Sequence, residues 1–102
     1  MKEDEQLKHD DHMRSDSKIA LSLLIDNVII PSNIGSIFRI ADAFGIEHIY
    51  LTGSSCTPPN KKIRKTSRST EKHVSFSYVE NPTDVLQRLR TEGYRIIGLE
   101  IT

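Results

Sequence analysis

A chain of 102 residues has room for one small domain and not two. Lys+Arg and Asp+Glu balance at 14 each, and hydrophobic residues make up 36%, which is low for a globular chain. No apolar run approaches the ~20 residues of a membrane span and no signal-peptide pattern opens the chain, so no membrane partner is expected; the lone Cys56 excludes an internal disulfide and fits a reducing cytoplasm.

Residues 1–17 are almost all polar, with six acidic side chains against three basic ones. Such a segment buries too little apolar area to offset chain entropy, so a disordered polar tail is expected, followed by one domain over 18–102. His9 and His12 flank Asp10 and Asp11 at a spacing that could hold a metal on a helix. A flexible polar tail is the better explanation of them, and no metal site is assigned.

From residue 18 onward the pattern alternates. Ile19–Ile25 reads as a strand, Asp26-Asn27 as a turn, and Val28-Ile29-Ile30 as extended chain that ends a strand at Pro31. Ser32 or Asn33 supplies an N-cap for a helix over 33–44. Its apolar stripe is Ile34, Ile37, Phe38, Ala41 and Phe44, and Gly45 stands where a left-handed C-cap is wanted. A strand at about 48–52 and a loop from Gly53 to Asn60 follow. Val74–Val79 alternates as a strand, Pro82 opens a helix that Gly93 stops, and Tyr94–Ile101 reads as a final strand. This order predicts an α/β fold: a mostly parallel sheet with flanking helices. The fingerprint Gly-x-Gly-x-x-Gly does not occur, which argues against a nicotinamide-binding unit.

Two features point to chemistry. At ~100° per residue, Gly35 and Arg39 lie about 40° apart on the first helix, opposite its apolar stripe. A bare backbone near the helix start, with a guanidinium one turn on, is a place where a phosphate or sugar could approach. A solvated Arg39 paired with Asp42 explains the same residues. The second feature is charge. Lys61, Lys62, Arg64, Lys65, Arg68 and Lys72 fall within twelve residues that contain one acid, Glu71, and are interleaved with Thr66, Ser67, Ser69 and Thr70. That is the composition of a phosphate-contacting loop, although a solvated basic loop has the same composition. No aromatic side chain interleaves the cluster, so base stacking is not expected there.

The run Asn33-Ile34-Gly35-Ser36-Ile37-Phe38-Arg39-Ile40-Ala41, preceded by Pro31 and followed by Phe44-Gly45, resembles the first signature motif of the SpoU (TrmH-like) family. The strand His48-Ile49-Tyr50-Leu51 and the basic stretch 61–73 extend the resemblance. It implies an RNA ribose 2′-O-methyltransferase of the SPOUT superfamily that acts on tRNA or rRNA, uses S-adenosylmethionine and works as a homodimer. It also implies roles for residues. Arg39 and Asn33 would be catalytic, with Arg39 orienting the phosphate and stabilising a developing alkoxide. Gly35, Lys62, Arg64, Lys65 and Ser67 would contact RNA.

Family members continue into motifs resembling Gly-Asn-Glu-x-x-Gly and Ser-Leu-Asn-Val, which build the α/β knot that holds the methyl donor. The resemblance therefore implies an incomplete SPOUT domain lacking the C-terminal knot, with the cofactor residues elsewhere and this chain inactive alone. Two other readings are a non-catalytic RNA-binding module, and a small α/β domain whose basic patch binds a phosphorylated small molecule.

Overall fold

The computed structural model describes residues 19–97. The expected polar tail, and the last part of the strand expected at Tyr94–Ile101, lie outside those residues. Strand β1 spans Ile19–Asp26, helix α1 Pro31–Phe44, strand β2 Ile46–Thr52, helix α2 Lys61–Ser67, strand β3 Phe76–Val79 and helix α3 Pro82–Thr91. A single 3-10 turn, Thr70–Lys72, separates α2 from β3. The three strands form one sheet in the order β1-β2-β3, parallel throughout. Parallel neighbours need a crossover, and α1 supplies the first one. The expected α/β class with a parallel sheet and flanking helices is the one observed.

Why α1 starts where it does differs from the sequence expectation. The N-cap is Ile30, at φ −88° and ψ 115°, and no side chain caps the helix. Pro31 takes the first helical position, where its missing N–H costs nothing and its fixed φ is already helical. The N–H groups of Asn33 and Ile34 then both donate to the Ile30 carbonyl, so neither Ser32 nor Asn33 is the cap. The segment Val28–Ile30 is not strand either. Asn27 at φ 58° turns the chain away from the ladder. Val28 N–H instead donates to Ser55 Oγ at 3.0 Å, and the Val28 carbonyl accepts from Cys56 N–H. At the other end Gly45, at φ 68°, closes the helix as expected, returning its N–H to Ala41 and Asp42 carbonyls.

The core lies between α1 and one face of the sheet. Ile34, Phe38 and Ala41 from α1 meet Ile49 and Leu51 from β2, with Ile63 from α2 and Val74 closing one side. Phe38 packs edge-to-face on Phe76 with ring centroids 5.3 Å apart. Phe44, expected in the apolar stripe, is 68% exposed. It is the last residue of α1. Helix α3 buries Val85 and Leu89, and Asn81 caps it by accepting from Thr83 N–H at 2.9 Å.

Three further expectations change. The basic stretch is a helix, not a loop, because the Asn60 side chain caps it by accepting from Lys62 and Ile63 N–H. Strand β3 begins at Phe76, since Val74 N–H is spent on the Thr70 carbonyl of the 3-10 turn. Tyr94–Ile97 is not strand; Tyr94 OH donates to Glu47 at 2.8 Å, tying the chain after α3 to the start of β2.

Candidate nucleic-acid interface

Helices α1 and α2 touch at a glycine. A Cβ placed on Gly35 would lie 2.6 Å from Thr66 Cβ, 2.7 Å from the Ile63 carbonyl oxygen and 2.9 Å from Ser67 N. Only hydrogen fits there. The bare backbone predicted to admit a phosphate is thus buried under α2, and its effect is to bring the two helices together. That approach sets the geometry of everything around it.

Beside the contact runs an open groove of about 690 Å³. One wall is the start of α1, with Ile30, Pro31 and Ser32; the others carry Arg39, Lys62, Lys65, Thr66 and Arg68. Ser32 and Arg39 are seven residues apart, two turns on one helix face. Lys62 and Lys65 are three apart on α2 and fall side by side. Among the described residues, four cations and no acid therefore line one cavity, next to the positive end of a helix dipole. Like charges held together repel, and a polyanion relieves that repulsion.

Not every predicted residue is in this groove. Arg39, Lys62 and Lys65 come together there. Asn33 is exposed on α1 about 120° round the helix from Arg39 and does not line the groove. Arg64 points to the other side of α2, where its Nε lies 3.6 Å from Glu71 Oε2. Among the described residues that is the one ion pair, so the alternative pairing of Arg39 with Asp42 is not made. Ser67, predicted to meet RNA, is fully buried and donates its hydroxyl to Glu71. It has no free donor to offer a phosphate.

Arg68, Thr66 and the Ile30-Pro31-Ser32 wall were not singled out from sequence. Arg68 belongs to the basic cluster, but its place in the groove depends on a left-handed backbone at φ 57°, followed by Ser69 at φ 70°. Neither residue is a glycine, so nothing in the letters announces that turn. Glu71 lies beside it and accepts from the Ser67 hydroxyl. Burial acts to raise the Glu71 pKa, but hydrogen bonds from Ser67 and its own N–H, with the Arg64 guanidinium, outweigh burial and hold the carboxyl below its usual range.

The profile of the SpoU rRNA Methylase family matches residues 20–102. A Staphylococcus saprophyticus protein assigned to the TrmH family of tRNA/rRNA methyltransferases is 28% identical over 87 residues. Those residues are 85% of this chain and 35% of that protein. The mitochondrial rRNA methyltransferase 1 of Saccharomyces cerevisiae is 29% identical over 76 residues, 74% of this chain and 18% of that one. Among solved structures, a TrmH-family protein from Porphyromonas gingivalis superposes with a TM-score of 0.66 at 35% identity, covering 72% of this chain and 30% of its own. The SpoU methyltransferase AviRb of Streptomyces viridochromogenes, solved with AdoMet, superposes with a TM-score of 0.65 at 27% identity, covering 74% and 28%. The chain thus spans about a third or less of the length of these relatives.

Proposed function

The chain belongs to the SpoU rRNA methylase family, and from that premise we propose that the groove between α1 and α2 holds the sugar–phosphate backbone of a tRNA or rRNA at the ribose whose 2′-hydroxyl accepts the methyl group. The observation that carries this reading is the lining of that groove by Arg39, Lys62, Lys65 and Arg68 with no acid among them. Positive charge at that density binds a polyanion by displacing its counterions. The absence of aromatic side chains among the described residues of the lining favours contacts to phosphate and sugar over contacts to bases.

Arg39 is the residue we assign to the acceptor. A guanidinium stays protonated in proteins, so it cannot take the hydroxyl proton. It can grip a phosphate through two parallel N–H donors and stabilise negative charge growing on the neighbouring 2′-oxygen. Lys62, Lys65 and Arg68 hold adjacent phosphates, and Ser32 and Thr66 offer hydroxyls along the same track.

The methyl donor of the family is itself a cation. S-adenosylmethionine carries a positive sulfonium, which the four cations repel, so the groove's residues do not fit it. They serve the RNA side of the reaction. Next to Arg39, the exposed Ile40 and Phe44 form an apolar strip with Ser36 and Ala43, which favours contact with a second subunit beside the groove.

The test is RNA affinity against salt. With up to four phosphates engaged, log affinity should fall with log salt at a slope of about −2 to −3 on single-stranded RNA. Arg39→Ala should make that slope shallower by about 0.7. A slope near zero for the unaltered chain would overturn the reading. If Arg39→Ala abolished methyl transfer in the complete enzyme while leaving affinity nearly unchanged, Arg39 would act in the chemical step; matched losses would instead favour a binding module.

A further inference from the structure

The buried carboxylate at Glu71 does nothing in the groove, yet the groove's fourth cation depends on the turn beside it. We infer that Glu71 is a positioning residue which, by orienting the Ser67 hydroxyl, locks the left-handed turn at Arg68-Ser69 and so holds the Arg68 side chain in the RNA groove. The inference rests on the proposed phosphate-binding role of that groove.

The polarity of one hydroxyl decides the arrangement. An ionised carboxylate only accepts, so the Ser67 O–H must donate to Glu71 Oε1. With its proton committed, the Ser67 oxygen has lone pairs free, and it accepts from Ser69 N–H at 3.2 Å. Thr70 Oγ1 adds a bond to the Ser67 carbonyl at 2.8 Å, and Arg68 N–H closes α2 on the Arg64 carbonyl at 2.9 Å. Together these bonds over-determine a backbone that two consecutive non-glycine residues rarely adopt, at φ 57° and 70°. The same carboxylate takes Arg64, at 3.6 Å, on the side away from the groove. Glu71 thereby sorts the basic cluster. It withdraws Arg64 from the RNA face and fixes the turn that delivers Arg68 to it.

The experiment compares Glu71→Ala and Ser67→Ala in the full chain, each with and without Ser69→Gly. Two readouts are taken: the backbone carbon shifts of Arg68 and Ser69, which report the left-handed turn without any RNA, and the salt slope of RNA binding. Ser67→Ala removes one oxygen from a buried site and keeps the fold testable if Glu71→Ala does not fold. Both single variants should lose the left-handed shifts and make the salt slope shallower by about 0.7, the value for one phosphate contact on a single strand. Ser69→Gly should restore both, because glycine reaches positive φ without help. A merely structural role would lower the melting temperature and leave the slope and the shifts unchanged, which would overturn the inference. So would loss of the shifts with no change in slope. If the unaltered chain showed no salt-dependent RNA binding, the functional reading would fall, while the shifts would still decide whether Glu71 holds the turn.

Discussion

Gly35 is the residue on which the sequence and the structure give different answers from the same letter. A glycine one helical turn from an arginine suggests room for a ligand; here the room is taken by α2. Two of the three atoms a Cβ would meet belong to the backbone of α2, at 2.7 and 2.9 Å, so they cannot swing aside as a side chain would. Gly35→Ala should therefore destabilise the fold by about 1–3 kcal/mol through overpacking, despite alanine's better helix propensity. In a domain of this size each 1 kcal/mol moves the melting temperature by about 4–8 °C, and the RNA salt slope should become shallower as Arg39 separates from Lys62 and Lys65. If glycine served only a phosphate's approach, alanine would weaken RNA binding at an unchanged melting temperature. Arg39 is legible through the motif it belongs to and Lys62 and Lys65 through local charge density, because both are properties of a short window of sequence. That Gly35, Arg64 and Ser67 face away from solvent or from the groove is tertiary, and no window of sequence contains it.

At the level of elements, the clear signals were those in which one residue has a single backbone use. Gly45 closes α1 and Pro82 opens α3 as expected, whereas Pro31, read as a strand end, is the first residue of α1. Helix α2 was missed for a physical reason. Its seven residues contain one buried apolar side chain, Ile63, which is too little for any periodicity to show. What sustains so short a helix is its cap, since nucleation in isolation is unfavourable. Asn60 Oδ1 accepts from Lys62 N–H at 2.8 Å and from Ile63 N–H at 3.1 Å. Asn60→Ala should cost about 0.5–2 kcal/mol. It should also spread Lys62 and Lys65 and weaken RNA binding, whereas Asn81→Ala at the other capped helix should cost similar stability with RNA affinity intact. Denaturant midpoints and anisotropy on the same two variants check this, and equal effects on affinity would contradict it. The cap was readable in principle, but Pro58-Pro59 just before it made the region look like loop.

The whole molecule has a balanced formal charge, and that balance hides both the cationic groove and a sensitivity to acid. On the sheet face opposite α1, the His48 ring lies between Ser75 Oγ, 2.6 Å from Nδ1, and Ser77 Oγ, 2.9 Å from Nε2. It lies tilted against the Tyr50 ring with centroids 4.4 Å apart, while Arg88 from α3 lies over the Tyr50 ring and donates to its hydroxyl at 3.0 Å. Burial and then the Arg88 charge lower the His48 pKa below 6.5, against a smaller opposing pull from Glu47. A lowered histidine means the unfolded chain takes up the proton first as pH falls. The stability held by neutral His48 is therefore complete above about 6.5 and is lost as pH drops from there toward the folded value. Glu71 adds a second stage. Its folded pKa is also lowered, so its contribution is complete above 4.5 and disappears as pH falls through the folded value. Urea midpoints should thus decline in two steps from pH 8 to pH 3. His48→Gln should flatten the upper step and leave the lower one, and Glu71→Gln should do the reverse. A midpoint that stayed level between pH 7 and pH 5.5 in the unaltered chain would rule out the histidine step. The two steps also have different consequences for RNA. The lower one removes the carboxylate that faces Ser67 and Arg64, so RNA affinity should fall with it. The upper one lies across the sheet from the groove, so it should cost stability alone.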